Sequence, residues 1–160
     1  MQVQPTSAQV ESLQTLLLPL HGPYLIVPQS TVVEIAPFPK LTAGSSTDAA
    51  AWLLGMFEWR DQKVPLISFE SLSGVATVAA PAAKPHIAVL YTLQDRPEFE
   101  YYAIALTAIP KPALLNSASL ATGAEASHHE IIAASASIEG KHCLIPASDC
   151  LERLIQIELQ

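Results

Sequence analysis

The sequence predicts an all-β protein, a small barrel or sandwich, on three observations. Short apolar runs holding β-branched and aromatic residues recur at roughly ten-residue spacing. Proline, glycine or a polar turn ends nearly every run. A clear helical period emerges only near the C-terminal end.

Residues 1–12 are polar and unpatterned, as in a loose arm. Strand-like runs then follow at Leu16–Leu20, Tyr24–Val27 and Thr31–Ala36, divided by His21-Gly22-Pro23 and Pro28-Gln29-Ser30. Lys40–Thr47 is a loop of small and polar residues. Its Ser45–Asp48 end offers an N-cap for Ala49–Leu54, which predicts a short helix over 48–54, stopped by Gly55. Met56–Trp59 and Val64–Phe69 flank Arg60-Asp61-Gln62-Lys63 as a hairpin. Pro65 cannot donate to a ladder, so its strand is expected to be an edge or to bulge there.

Gly74–Pro85, rich in Ala and Pro and nearly free of charge, reads as a crossing between a first lobe over 13–73 and a second over 86–159. Strand patterning resumes at His86–Leu93, turns at Gln94–Glu98 and continues through Phe99–Ile109. Lys111–Ser127 reads as irregular. Ile131–Ile138 and His142–Ile145 flank a Glu139-Gly140-Lys141 hairpin turn. Cys150, Leu151, Leu154 and Ile155 take helical spacing behind Ser148, predicting a closing amphipathic helix. Gly22–Glu34 also lies over Gly140–Glu152 with four identities in thirteen positions. Two related lobes would give that echo, and so would the ordinary recurrence of turn, strand and proline stop.

Half of the residues are apolar, 50%, and only 14% are charged, enough to build a core in one domain or two small lobes. Eight basic and fifteen acidic residues leave a net charge of −7, which offers no positive field for nucleic acid. No apolar window is long and uninterrupted enough for a membrane span, and the first residues lack a secretory pattern. A cytoplasmic protein is expected, with Cys143 and Cys150 as buried thiols.

Reactive constellations are few. His128-His129-Glu130 is the best metal candidate, but adjacent strand residues face apart and cannot chelate one ion together. The same alternation separates His142 from Cys143, and nothing nearby would activate that thiol. The carboxylates are scattered singly, with no paired acid and base. Apolar strands with few reactive groups point to binding, with no enzymatic activity, no cofactor and no metal.

Thr31-Val32-Val33-Glu34-Ile35 and the run from Ala51 to Phe69 resemble the signature of the CheW-like chemotaxis adaptor domain family. Val32, Glu34, Ile35, Trp52, Leu53, Leu54, Gly55, Arg60, Val64, Pro65, Leu66 and Ile67 match it in order and spacing. Trp59-Arg60 and the run from Pro65 to Glu70 look most like the ChpC-type branch, which accompanies type IV pilus (twitching) chemosensory systems. The resemblance implies two small five-stranded SH3-like β-barrels packed side by side. It also implies a non-enzymatic scaffold joining the cytoplasmic tip of a methyl-accepting chemoreceptor to a CheA-type histidine kinase, with a homodimer as a further option. One departure is Asp61, where the family turn carries glycine after the arginine associated with receptor contact.

An adaptor surface combines an apolar anchor with a charged rim. Glu34, Ile35, Trp52, Trp59, Arg60, Asp61, Val64 and Pro65 are the partner-binding candidates, with Glu34 and Arg60 as rim charges. The plainer reading places Val32, Val33, Ile35, Val64, Leu66 and Ile67 in the core. The alternative function is a small-molecule-binding β-barrel or minor hydrolase with a cleft between the lobes. A third is a dimerising relative that has lost receptor contact through Asp61.

Overall fold

The computed structural model describes residues 12–44, 52–74, 85–94, 99–116 and 130–159. In chain order these form β1 (Leu13–Pro19), β2 (Tyr24–Pro28), β3 (Val32–Pro37), β4 (Ala43–Gly44), β5 (Leu53–Trp59), β6 (Gln62–Ile67), α1 (Phe69–Ser73), β7 (His86–Tyr91), β8 (Tyr101–Leu106), β9 (Lys111–Leu115), β10 (Ile132–Ile138), β11 (Lys141–Pro146) and α2 (Ser148–Leu159). The arm at 1–11, the residues at 45–51 and 75–84, and His128-His129 lie outside the described residues.

The strands make two sheets, one ordered β10-β11-β2-β1-β9 and the other β3-β7-β8-β6-β5-β4. Neither closes into the expected barrel, because the end strands of each sheet are not paired with one another among the described residues. Two end strands are poor closing edges: β4 has two residues, and β9 carries Pro112, which has no N–H to donate. The lobes therefore have an SH3-like outline and open edges.

The lobes also do not follow the expected division at 74–85. Each half of the chain runs through one order of elements: a hairpin (β1–β2, then β7–β8), a single strand (β3, then β9), a second hairpin (β5–β6, then β10–β11) and a helix (α1, then α2). The first hairpin of each half is built into the sheet of the other. Thus β1 pairs antiparallel with β9 and β2 parallel with β11, while β7 pairs antiparallel with β3 and β8 parallel with β6. The Gly22–Glu34 echo does not mark this repeat, since it lays β2 over β11, its neighbour in the same sheet, whereas β2 and β8 hold equivalent places.

Local chemistry explains other departures. Leu53, Gly55 and Phe57 are buried alternately, so period two extends the strand back to Leu53 where a helix to residue 54 was expected. α1 was not anticipated. Its start is capped by Ser68, whose hydroxyl accepts the Ser71 N–H, and its end by Gly74 at φ 72°. Pro65 lies in a strand flanked on both sides, yet pairing with β8 begins only at Leu66, so the proline sits where β6 is still one-sided.

Three apolar clusters result. The largest lies between the sheets and takes Leu18, Leu25, Ile67, Phe69, Leu90, Ile104, Leu144, Leu151 and Ile155 from both halves. Phe57, Val64, Leu66 and Val89 fill the curl of the six-stranded sheet, and Leu17, Ile26, Ile138 and Cys143 that of the five-stranded one.

Two buried carboxylates tie each helix to the first hairpin of its own half, which sits in the opposite lobe. The His21 N–H, in the β1–β2 turn, donates to Glu70 Oε2 at 3.2 Å. The Leu93 N–H, in the β7–β8 turn, donates to Glu152 Oε1 at 2.8 Å. His21 and Leu93 hold the same place, two residues after β1 and β7 respectively. Burial raises the pKa of Glu152, a shift opposed by the Leu93 and Gln94 amides and reinforced by Asp149. The folded state then holds the proton more tightly than the unfolded one, so this group's contribution to stability falls as pH rises from the usual carboxylate range. Glu152→Gln should therefore gain on the parent with pH: the difference in melting temperature, variant minus parent, is larger at about pH 7.5 than at about pH 4.5. Glu152→Ala leaves the Leu93 N–H unpaired and should lose roughly 1–3 kcal/mol in denaturant unfolding.

Candidate functional site

The β5–β6 hairpin has a two-residue loop, with Trp59 opposite Gln62 and positive φ at both Arg60 (49°) and Asp61 (62°). That is the type I′ geometry whose twist matches the flanking strands. Asp61, where the resemblance would have glycine, takes positive φ in this turn. The turn thus holds two non-glycine residues in the left-handed region, where Asp is better tolerated than most.

Around this turn the sheet curls until its fifth strand meets its first. The Trp59 Nε1–H donates to Glu34 Oε2 at 2.6 Å, joining β5 to β3. The Arg60 guanidinium lies 4.3 Å above the Trp59 ring centroid, a cation–π contact. The Tyr101 ring meets Trp59 edge-on at 4.8 Å, and Tyr91 lies 5.5 Å beyond Tyr101. Gln62 Nε2–H donates to Glu100 Oε2 at 3.2 Å beside them. Glu34, Arg60 and Asp61 are exposed, Trp59 is half-buried, and Tyr91 keeps 46% of its surface in solvent. One end of the six-stranded lobe thus presents an aromatic strip flanked by charges of both signs.

The eight candidates divide. Glu34, Trp59, Arg60 and Asp61 meet at this end. Ile35 and Trp52 are half-buried against the cluster between the sheets, Val64 lies inside the lobe, and Pro65 is buried on β6. Tyr91 and Tyr101 were missed by sequence reasoning. They face one another across β7 and β8, and their only signal was position at either end of a polar turn.

Elsewhere the chemistry is subdued. His142 is exposed and Cys143 buried, with the thiol donating to the Lys141 carbonyl at 3.4 Å. Burial pushes that thiol's pKa up, against the lowering influence of the Ile138 backbone and the Lys141 charge. Cys150 is half-buried and free, where full burial was expected. No group of three potential metal ligands occurs among the described residues, and no described helix is long and apolar enough to cross a membrane.

The fold and this surface define a two-lobed β protein with an aromatic end flanked by charges. The family model described as CheW-like domain matches residues 14–147, and the chain belongs to that family. A solved structure similar to it is the scaffolding protein TtCheW from Thermoanaerobacter tengcongensis, at 12% identity and a TM-score of 0.67, covering 84% of this chain and 88% of that one. No curated protein matches.

Asp61→Gly should relieve turn strain and raise stability by about 0.5–1 kcal/mol in denaturant unfolding, with the hairpin register unchanged.

Proposed function

We propose that this protein is a non-enzymatic, cytoplasmic adaptor of a bacterial chemosensory system, coupling the tip of a methyl-accepting chemoreceptor to a CheA-type histidine kinase. Its family membership over residues 14–147 carries the reading. The end built by Glu34, Trp59, Arg60 and Tyr101 supports it, because large rings anchor protein interfaces and rim charges select partners. Val64 acts in the proposal as packing in the cluster beneath this end, and Ile35, Trp52 and Pro65 as packing of the rest of the lobe. The resemblance of the Trp59-Arg60 pair to the ChpC-type branch supports a pilus-linked, twitching role for the adaptor.

A small-molecule or hydrolytic role needs His and carboxylate groups converging in a cleft. The described recess in the seam between the lobes, about 180 Å³, is lined mainly by apolar residues such as Val27, Leu90, Tyr91, Leu93 and Ile145, which gives that alternative little support.

Calorimetry with the regulatory domain of the cognate kinase and with a receptor tip peptide tests the proposal. Binding to at least one is expected, and binding to neither rejects it. Arg60→Ala should weaken the complex about tenfold, roughly 1.4 kcal/mol, with little change in melting temperature. Deleting the gene should abolish twitching and leave any flagellar swimming intact; the reverse pattern removes the pilus assignment.

A further inference from the structure

We infer that the two halves of this chain are exchangeable between copies, so that a second copy can supply 86–159 to the first copy's 13–74 and receive its counterpart in return. The inference rests on topology and holds whether or not the chemosensory proposal does.

Four strand pairings join the halves: β1 with β9, β2 with β11, β3 with β7 and β6 with β8. A half by itself leaves both outer edges of its first hairpin unpaired, and β3 and β6 or β9 and β11 without their partners. It also exposes one side of the apolar cluster between the sheets. Those edges are matched in register by the other half, whichever copy supplies it. The contacts within a half, including the His21–Glu70 and Leu93–Glu152 hydrogen bonds, travel with it unchanged. Exchange therefore preserves every sheet bond and every buried contact among the described residues, with the segment from 75 to 85 as the connection between the halves.

The resulting assembly is a closed two-fold pair of two-lobed units, each displaying one Trp59–Arg60 end. Within one chain the halves meet at an effective concentration on the order of millimolar, which favours the monomer in dilute solution. The balance turns when the connection is too short to join the halves of a single unit. Its sequence, with Pro81 and Pro85 among alanines, is poor in the glycine and serine that make linkers supple.

The test uses chains shortened by residues 77–82, in a Cys150→Ser background, one carrying Gln14→Cys and the other Leu114→Cys. These exposed positions face each other across β1 and β9, and Cα atoms so paired lie within disulfide reach. The two chains are unfolded, mixed, refolded and oxidised, beside a control pair at Leu13 and Ile109, which are exposed but not opposed. Exchange predicts twice the monomer mass by light scattering, the parent's circular dichroism, a melting temperature that rises with protein concentration, and disulfide-linked pairs for 14 and 114 only. A folded monomer overturns the inference, as does a dimer that cross-links neither pair or both equally. If the shortened chains fail to fold, the same cysteine pair in chains of full length, refolded together at about millimolar concentration, decides. Selective cross-linking there supports exchange, and its absence overturns it.

Discussion

A strand edge carries a row of N–H and C=O groups that must find partners once water is excluded, and in this chain neither half can complete its own sheets. That constraint organises the molecule. The β1–β2 hairpin is inserted between β9 and β11, and β7–β8 between β3 and β6. Each insertion makes one antiparallel and one parallel contact, which is why the two short parallel pairings, Cys143–Leu144 against Tyr24–Leu25 and Leu66–Ile67 against Ala103–Ile104, sit at equivalent points of the two sheets. Because the inserted hairpins run through the seam, the cluster between the sheets draws on both halves and the lobes share one main core.

The buried carboxylates follow from the same arrangement. A hairpin turn leaves backbone amides that no ladder satisfies, and the seam carries them out of water. Glu70 and Glu152 answer that need from different places, one on the short helix α1 and the other a turn into the longer α2. Counted from the helix starts they are not the same position, yet they reach the same turn amide of their own half. Burying a carboxylate is unfavourable unless donors surround it, and the turns supply amides: His21 to Glu70, and Leu93 with Gln94 to Glu152. The Tyr102 hydroxyl shows the other side of this environment: burial, with the Glu152 charge adding to it, makes its proton harder to remove.

Strand existence was legible in the sequence because apolar runs and their proline and glycine stops are local signals, as at Tyr24–Pro28 and His86–Tyr91. β9 was not, since Pro110 and Pro112 read as irregular chain; an edge strand tolerates a proline that a central one would not. The helix expected up to Leu54 failed where alternate burial of Leu53, Gly55 and Phe57 overrode the run of alanines before it. Exchange of the hairpins leaves no local trace at all, because strands of either half are equally apolar and pairing choice is a long-range property. Half of the candidate surface was visible for a related reason. Glu34, Trp59, Arg60 and Asp61 stand in a motif, whereas Tyr91 and Tyr101 reach it only through the β7–β8 hairpin that the fold brings across.

The repeated architecture also shows what sets the proposed docking end apart. Both second hairpins turn through two residues of positive φ, Arg60-Asp61 in one lobe and Glu139-Gly140 in the other. Both place a cation over an aromatic ring, Arg60 above Trp59 at 4.3 Å and Lys141 above Tyr24 at 5.2 Å. In the five-stranded lobe the turn tip is a glutamate beside a glycine, and Ile138 at the end of β10 holds the place that Trp59 holds at the end of β5. In the six-stranded lobe the tip itself is the cation, on an indole whose N–H is held by Glu34 and whose edge is packed by Tyr101. In a chain with net charge −7, a guanidinium seated on a broad aromatic base would, under the proposed function, give a partner grounds to tell one lobe from the other. Holding it there takes left-handed backbone at two residues other than glycine, a strain imposed by the flanking β5–β6 ladder, while the indole keeps its orientation by the bond to β3.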